Sequence, residues 1–223
     1  MTDKNQIELA EPVEDAVIVA GHPRSGTSLA CQIAETAGVT FRKEMGKDAY
    51  NKGGYYEMKD AKELSSHILK KGMNKENTER LNKVAEKLRK QEKPRGLKLV
   101  HITAVPYFQQ ILKEPRFIFI YRDPREVKSS MFRRGFSEFP VPWAKNNNAL
   151  LSLLQDQKNS IVISYEDILS KKKSVKKKFG EIGLEINFSP VKSNWRTQKA
   201  PKLALSEKEE KVYKILKEMK EEH

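Results

Sequence analysis

Cysteine is nearly absent: Cys31 is the one thiol in 223 residues. An internal disulfide is thereby excluded, and the composition suits a reducing compartment. Long apolar runs are missing too. No stretch approaches the roughly 20 apolar residues that a spanning helix needs, so no membrane partner is expected. The opening MTDKNQIELAEPVEDA lacks both a basic start and an apolar segment, which predicts no signal peptide and a cytoplasmic protein. Internal repeats and long low-complexity tracts are also lacking. With 38% hydrophobic residues, the chain can bury one core and is too short for two comfortable domains. A single domain over residues 1–223 is expected, with 1–14 as a flexible tail and 206–223 as a C-terminal helix.

Positive charge is what the chain has in excess: the formal net charge is +13. Such a charge suits a polyanionic ligand, whether nucleotide, acidic glycan or nucleic acid, or it is carried by solvated helix faces. The lysine runs at 171–173 and 176–178 read as exposed helix faces. A nucleic-acid binder would interleave basic residues with exposed aromatics, and these runs contain none, so no nucleic-acid partner is expected.

Residues 16–20 (AVIVA) are short, apolar and β-branched, which predicts a buried parallel strand. Residues 97–102, 117–121 and 161–164 read the same way. Helical patterns cover 27–37, 60–71, 74–93, 105–113, 124–134, 143–155 and 206–222. Strands alternating with helices define the fold class: α/β, three layers, a central parallel β-sheet flanked by helices.

The segment Gly21-His22-Pro23-Arg24-Ser25-Gly26-Thr27-Ser28 follows the first strand and opens a helix. This geometry turns backbone N–H groups toward an anion. The two glycines match the spacing of the ATP-binding loop G-x-x-x-x-G-K-[ST], but Thr27 stands where its lysine would be and the cation is Arg24. A nucleotide or small-molecule kinase would also place a metal-binding carboxylate at a neighbouring strand end, where this chain has Arg122. Asp123, Pro124 and Glu126 read instead as a helix start, with both acids in capping roles.

Taken in order, these segments resemble the sulfotransferases that use 3′-phosphoadenosine 5′-phosphosulfate (PAPS). PRSGTS is similar to their 5′-phosphosulfate loop, and FIFIYRDPREVKSSM to their 3′-phosphate motif, with Arg122 at the strand end and Ser130 eight residues on. NKGGYYE, ISYEDIL and the Trp143-bearing helix agree, and the resemblance runs from about residue 16 to 195. Arg24 replaces the lysine of many cytosolic members, and their glycine-rich C-terminal segment is missing.

The resemblance implies a phosphate-loop (P-loop NTPase-like) fold and in-line transfer of a sulfuryl group to a hydroxyl or amine, without a metal. Arg24, Ser25, Gly26, Thr27 and Ser28 would hold the 5′-phosphosulfate, with Arg24 also neutralising the leaving phosphate. Arg122 and Ser130 would hold the 3′-phosphate. Trp195 and Arg196 would enclose the nucleotide, or else are a core tryptophan and a surface arginine. His101, expected to end the second strand, and Glu57 are both candidate general bases, and Lys98 stands in the role of a family lysine. For Glu57 the alternative is a helix-entry acid neutralised by Lys59. His101 could instead be a core histidine. The implied partners are the nucleotide donor and a small-molecule or glycan acceptor. A non-catalytic PAPS-binding module on the same fold is the alternative to an enzyme.

Overall fold

The structure is a computed structural model that describes residues 8–46, 53–136, 141–192 and 202–221. Five strands form its sheet: β1 Ala16–Gly21, β2 Thr40–Phe41, β3 Arg95–Leu99, β4 Arg116–Tyr121 and β5 Ser160–Ser164. Their spatial order is β2-β3-β1-β4-β5, with every pairing parallel. β1 is the middle strand and is buried throughout, as its unbroken apolar run predicts.

The side chains of each strand alternate between two cores. Ile18, Ala20, Leu97, Phe117 and Phe119 point to one face. There they meet α2 (Lys59–Lys71), α3 (Lys75–Arg89), α4 (Val105–Gln109), α5 (Pro124–Phe132), α6 (Trp143–Asp156) and α9 (Glu207–Glu221). Val17, Val19, Ile118, Ile120 and Ile163 point to the other face. That side holds α1 (Thr27–Glu35), α7 (Tyr165–Leu169) and α8 (Lys173–Glu181). The sequence-predicted α/β architecture, with helices on both faces of a parallel sheet, is therefore the observed one.

Several boundaries differ for local reasons. β3 stops at Leu99, so His101 does not end a strand; it precedes a 3-10 turn at Ile102–Ala104, and the helix expected over 105–113 shrinks to α4. α3 ends at Arg89, ahead of Pro94. β2 has two residues, too few to leave an alternating pattern. Lys178 corrects the solvated-face reading of its run: it is buried, and its Nζ donates to the Val162 carbonyl at 3.2 Å. That donor ties α8 to β5 where an apolar residue would leave the carbonyl without this bond. α9 packs outside α6 through Val212 and Leu216.

Phe117 and Phe119 stack with ring centroids 5.5 Å apart, both fully buried. Phe119→Ala is expected to cost about 3–5 kcal/mol of unfolding free energy, read as a lower urea midpoint at unchanged slope.

Candidate active site

The C-terminal ends of β1, β3, β4 and β5 face one edge of the sheet, where α/β proteins bind ligands. The loop from His22 to Gly26 leaves β1 there and enters α1. Gly26 has φ 93°, and a Cβ on it would lie 2.2 Å from Tyr165 Cδ2. The Tyr165 ring, at the start of α7, thus fills the space that glycine leaves. Arg24 is left-handed as well, at φ 69°. For a non-glycine residue that conformation is costly and must be held by its surroundings.

What holds it is a set of contacts to β4 and α5. Arg24 Nε donates to Ser130 Oγ at 3.1 Å, and the Arg24 carbonyl accepts from Arg122 Nη1 at 3.2 Å. The Arg122 guanidinium lies over the Tyr165 ring, 4.4 Å from its centroid. Its Nε donates to Glu126 Oε2 at 2.7 Å, and both side chains are largely buried. Asp123 caps α5 as expected, accepting from the Arg125 backbone N–H at 2.9 Å. Glu126, one helical turn beyond Arg122, gives that arginine a charged acceptor besides any part it takes at the helix start. Ser25 is wholly buried and its hydroxyl finds no partner among the described residues.

A second cluster adjoins the loop. Lys98, on β3, is buried to 5% exposure and donates to Glu57 Oε1 at 3.1 Å, to Ser28 Oγ at 3.0 Å and to the Tyr55 carbonyl. Lys62 approaches Glu57 Oε2 at 3.6 Å. Lys59, expected to neutralise Glu57, faces Glu63 instead. His101 is half-buried beside this pair. Desolvation pulls its pKa below the usual 6.5, and the Glu57 charge opposes that pull. Its Nδ1 is buried without a partner among the described residues. Tyr56 turns away, with its hydroxyl donating to Glu35 Oε2 at 2.9 Å, whereas the Tyr55 hydroxyl accepts from Arg134.

The structure thus brings together Arg24, Ser130 and Arg122 in one group, and Ser28, Lys98 and Glu57, with His101 alongside, in another. Thr27 opens α1 between them and is buried. Trp195 and Arg196 lie outside the described residues. Sequence reasoning missed Tyr165, Glu126 and Arg134 as parts of the site. Tyr165 was visible within ISYEDIL, but its packing on Gly26 depends on the β5–α7 corner, which no local pattern encodes. Among the described residues, no three of His, Cys, Asp and Glu come together to hold a metal ion, and no helix is long and apolar enough to cross a membrane.

A strand–loop–helix unit on the central strand of a parallel sheet, joined to an arginine just past the next strand and a serine on the helix after it, defines an α/β protein of the P-loop-like kind. The chain belongs to the sulfotransferase family: a model of the sulfotransferase domain matches residues 14–149, over half its length. By family and fold it is a sulfotransferase. Solved structures share that fold. The sulfotransferase domain of the Synechococcus PCC 7002 olefin synthase is 14% identical with a TM-score of 0.59, over 96% of this chain and 98% of that one. The sulfotransferase domain from the curacin biosynthetic pathway is 14% identical with a TM-score of 0.51, over 94% and 99%. A mouse sulfotransferase complexed with PAP is 16% identical with a TM-score of 0.50, over 96% and 87%. No curated protein sequence matches the chain.

His22 gives the loop a pH dependence. It is fully buried, with Nδ1 2.8 Å from the Pro23 carbonyl and Nε2 3.4 Å from the Val141 carbonyl. Burial lowers its pKa from 6.5 to about 4. The unfolded chain therefore takes up this proton first as pH falls. Stability is lost progressively between about pH 6.5 and 4, by up to roughly 3 kcal/mol. Urea unfolding across that range should show the slope, and His22→Gln should flatten it.

Proposed function

We propose that the chain transfers a sulfuryl group from PAPS to a hydroxyl or amine of its acceptor. The observation that carries this reading is the Arg24–Ser130 contact of 3.1 Å. It joins the loop suited to a 5′-phosphosulfate to the residues suited to a 3′-phosphate, so one nucleotide bearing both groups would span them. The buried Ser25 hydroxyl without a partner, the left-handed Gly26 and the convergent Arg24 and Arg122 fit such a ligand. When bound, PAPS supplies the sulfuryl group, which passes in line to the acceptor.

The protein's part is binding, charge and proton handling. Ser25, Gly26, Thr27 and Ser28 hold the 5′ end at the start of α1, where backbone N–H groups and the helix dipole favour an anion. Arg24 neutralises charge on the departing phosphate. Arg122 and Ser130 hold the 3′-phosphate, Arg122 by exchanging part of its pairing with Glu126. Lys98 holds Ser28 and adds positive charge beside the loop.

His101 is the general base in this reading. Its lowered pKa keeps the imidazole neutral at physiological pH, and its Nδ1 has no partner among the described residues. Glu57 is engaged by Lys98 and Lys62, and so serves to fix Lys98 rather than to take a proton.

Calorimetry with adenosine 3′,5′-bisphosphate should show micromolar binding, with ATP and magnesium much weaker. Arg122→Ala should weaken bisphosphate binding by about 2–4 kcal/mol through loss of a charge-assisted pair. Unchanged affinity in that variant would remove Arg122 from the 3′-phosphate site. Preferential ATP binding would favour a kinase.

The pH profile of kcat/KM should lose activity on the acid side with a midpoint below 6.5, because the deprotonated imidazole is the active form and its pKa is lowered. His101→Ala should bind the bisphosphate normally yet fail to transfer. Retained transfer in that variant would move the base to Glu57.

A further inference from the structure

The buried face of α6 runs Trp143, Asn146, Asn147, Leu150, Leu153. Its later turns are apolar, as a helix against a sheet requires. Its first two turns are not. Asn146 is 0% exposed, and neither its amide nitrogen nor its amide oxygen has a partner among the described residues. Asn147 is equally buried; its nitrogen donates to the Trp143 carbonyl at 2.9 Å, while its oxygen has no partner there. A buried amide with both ends unanswered is among the costlier things a core can contain, and leucine one turn on shows that this face accepts apolar side chains.

The place of these amides in the fold explains them. α6 begins just after Val141, whose carbonyl meets His22 of the phosphate loop. The same helix packs on the Ile102–Ala104 turn that follows directly on His101. The start of the helix is thus tied to the phosphate loop, and the helix as a whole packs on the turn behind the candidate base. At and just before that turn two further polar atoms are buried without partners among the described residues, His101 Nδ1 and Thr103 Oγ1. The polar positions of α6 stand in its first two turns, nearest in sequence to the Val141 contact with His22, and give way to leucine beyond them.

We propose that Asn146, with Asn147 beside it, recognises the acceptor by hydrogen-bonding a polar group next to the one that is sulfated. The acceptor class is then a polyhydroxylated molecule, with hydroxyl or amide groups flanking the reacting hydroxyl, rather than an isolated hydroxyl on an apolar body. The inference rests on the sulfotransferase reading of the same site. An amide presents one donor face and one acceptor face, and vicinal hydroxyls answer both. A site built to hydrogen-bond a substrate hydroxyl rejects analogues that lack it far more strongly than an apolar pocket discriminates by size.

The test uses the full chain with PAPS and two probe sets: glucose, N-acetylglucosamine and trehalose against 4-nitrophenol and 1-octanol. The unsubstituted protein is expected to turn over at least one sugar with kcat/KM above both monohydroxyl probes. Asn146→Leu is expected to lower kcat/KM for that sugar by roughly 100-fold or more, mainly through KM, while bisphosphate affinity is unchanged. Asn146→Asp keeps the shape and the acceptor face, provides a second reading should the leucine variant misfold, and should lose at least 10-fold. Preference for the monohydroxyl probes, or turnover of neither set, overturns the proposal. So does an Asn146→Leu protein that is more stable and equally active, since the amides would then only hold a core water. Failure of the unsubstituted protein to bind the bisphosphate would instead strike the sulfotransferase reading itself.

Discussion

Lys98 carries a charge into the buried interior beside the middle strand of the sheet, and the surroundings have to answer it. A buried ammonium is tolerated only where acceptors replace the water it has lost. Here they come from three separate stretches: the Glu57 carboxylate, the Tyr55 carbonyl and the Ser28 hydroxyl. One lysine on β3 thereby fixes the segment that enters α2 and the first turn of α1. The phosphate loop has a second anchor on its other side, where Arg24 meets Ser130 and Arg122. Held from both flanks, the loop sustains a left-handed arginine that it could not keep unaided.

Much of this could be read from the chain. β1 and β4 announce themselves by unbroken β-branched and aromatic runs, and the glycine spacing after β1 marks an anion loop. Arg122 stood out at the end of an apolar strand and Ser130 through the family resemblance of the segment that follows, and the structure brings both to Arg24. What escaped notice depends on side chains meeting across the fold. Glu126 read only as a capping acid because the capping pattern is local, while its pairing with Arg122 depends on where β4 delivers that arginine. Lys178 looked solvated because its neighbours are lysines, although its own helical position faces β5. His101 was assigned to a strand end because KLVHI is apolar enough to continue one, while β3 stops two residues earlier.

The Arg122–Glu126 pair also sets the electrostatic character of the site. Two oppositely charged groups, each largely buried, sit beside the loop that leaves β1, where the proposed nucleotide site lies. The carboxylate orients the guanidinium and keeps it from collapsing onto other acceptors, and Tyr165 supports its opposite face. The excess of positive charge on the chain matters less here than the placement of two arginines.

α9 lies outside the stretch that matches the sulfotransferase domain model, and at first sight it is mere cladding. Its Glu209 nonetheless accepts from Lys128 of α5 at 2.7 Å, and Tyr213 packs its ring against both Tyr121 and Trp143. The helix therefore grips the end of β4, the helix that carries Ser130 and the helix that carries Asn146. It works as a keystone: the last arch stone, placed far from the others in sequence, that locks β4, α5 and α6 against one another. The working unit of this fold is consequently larger than its recognisable signature.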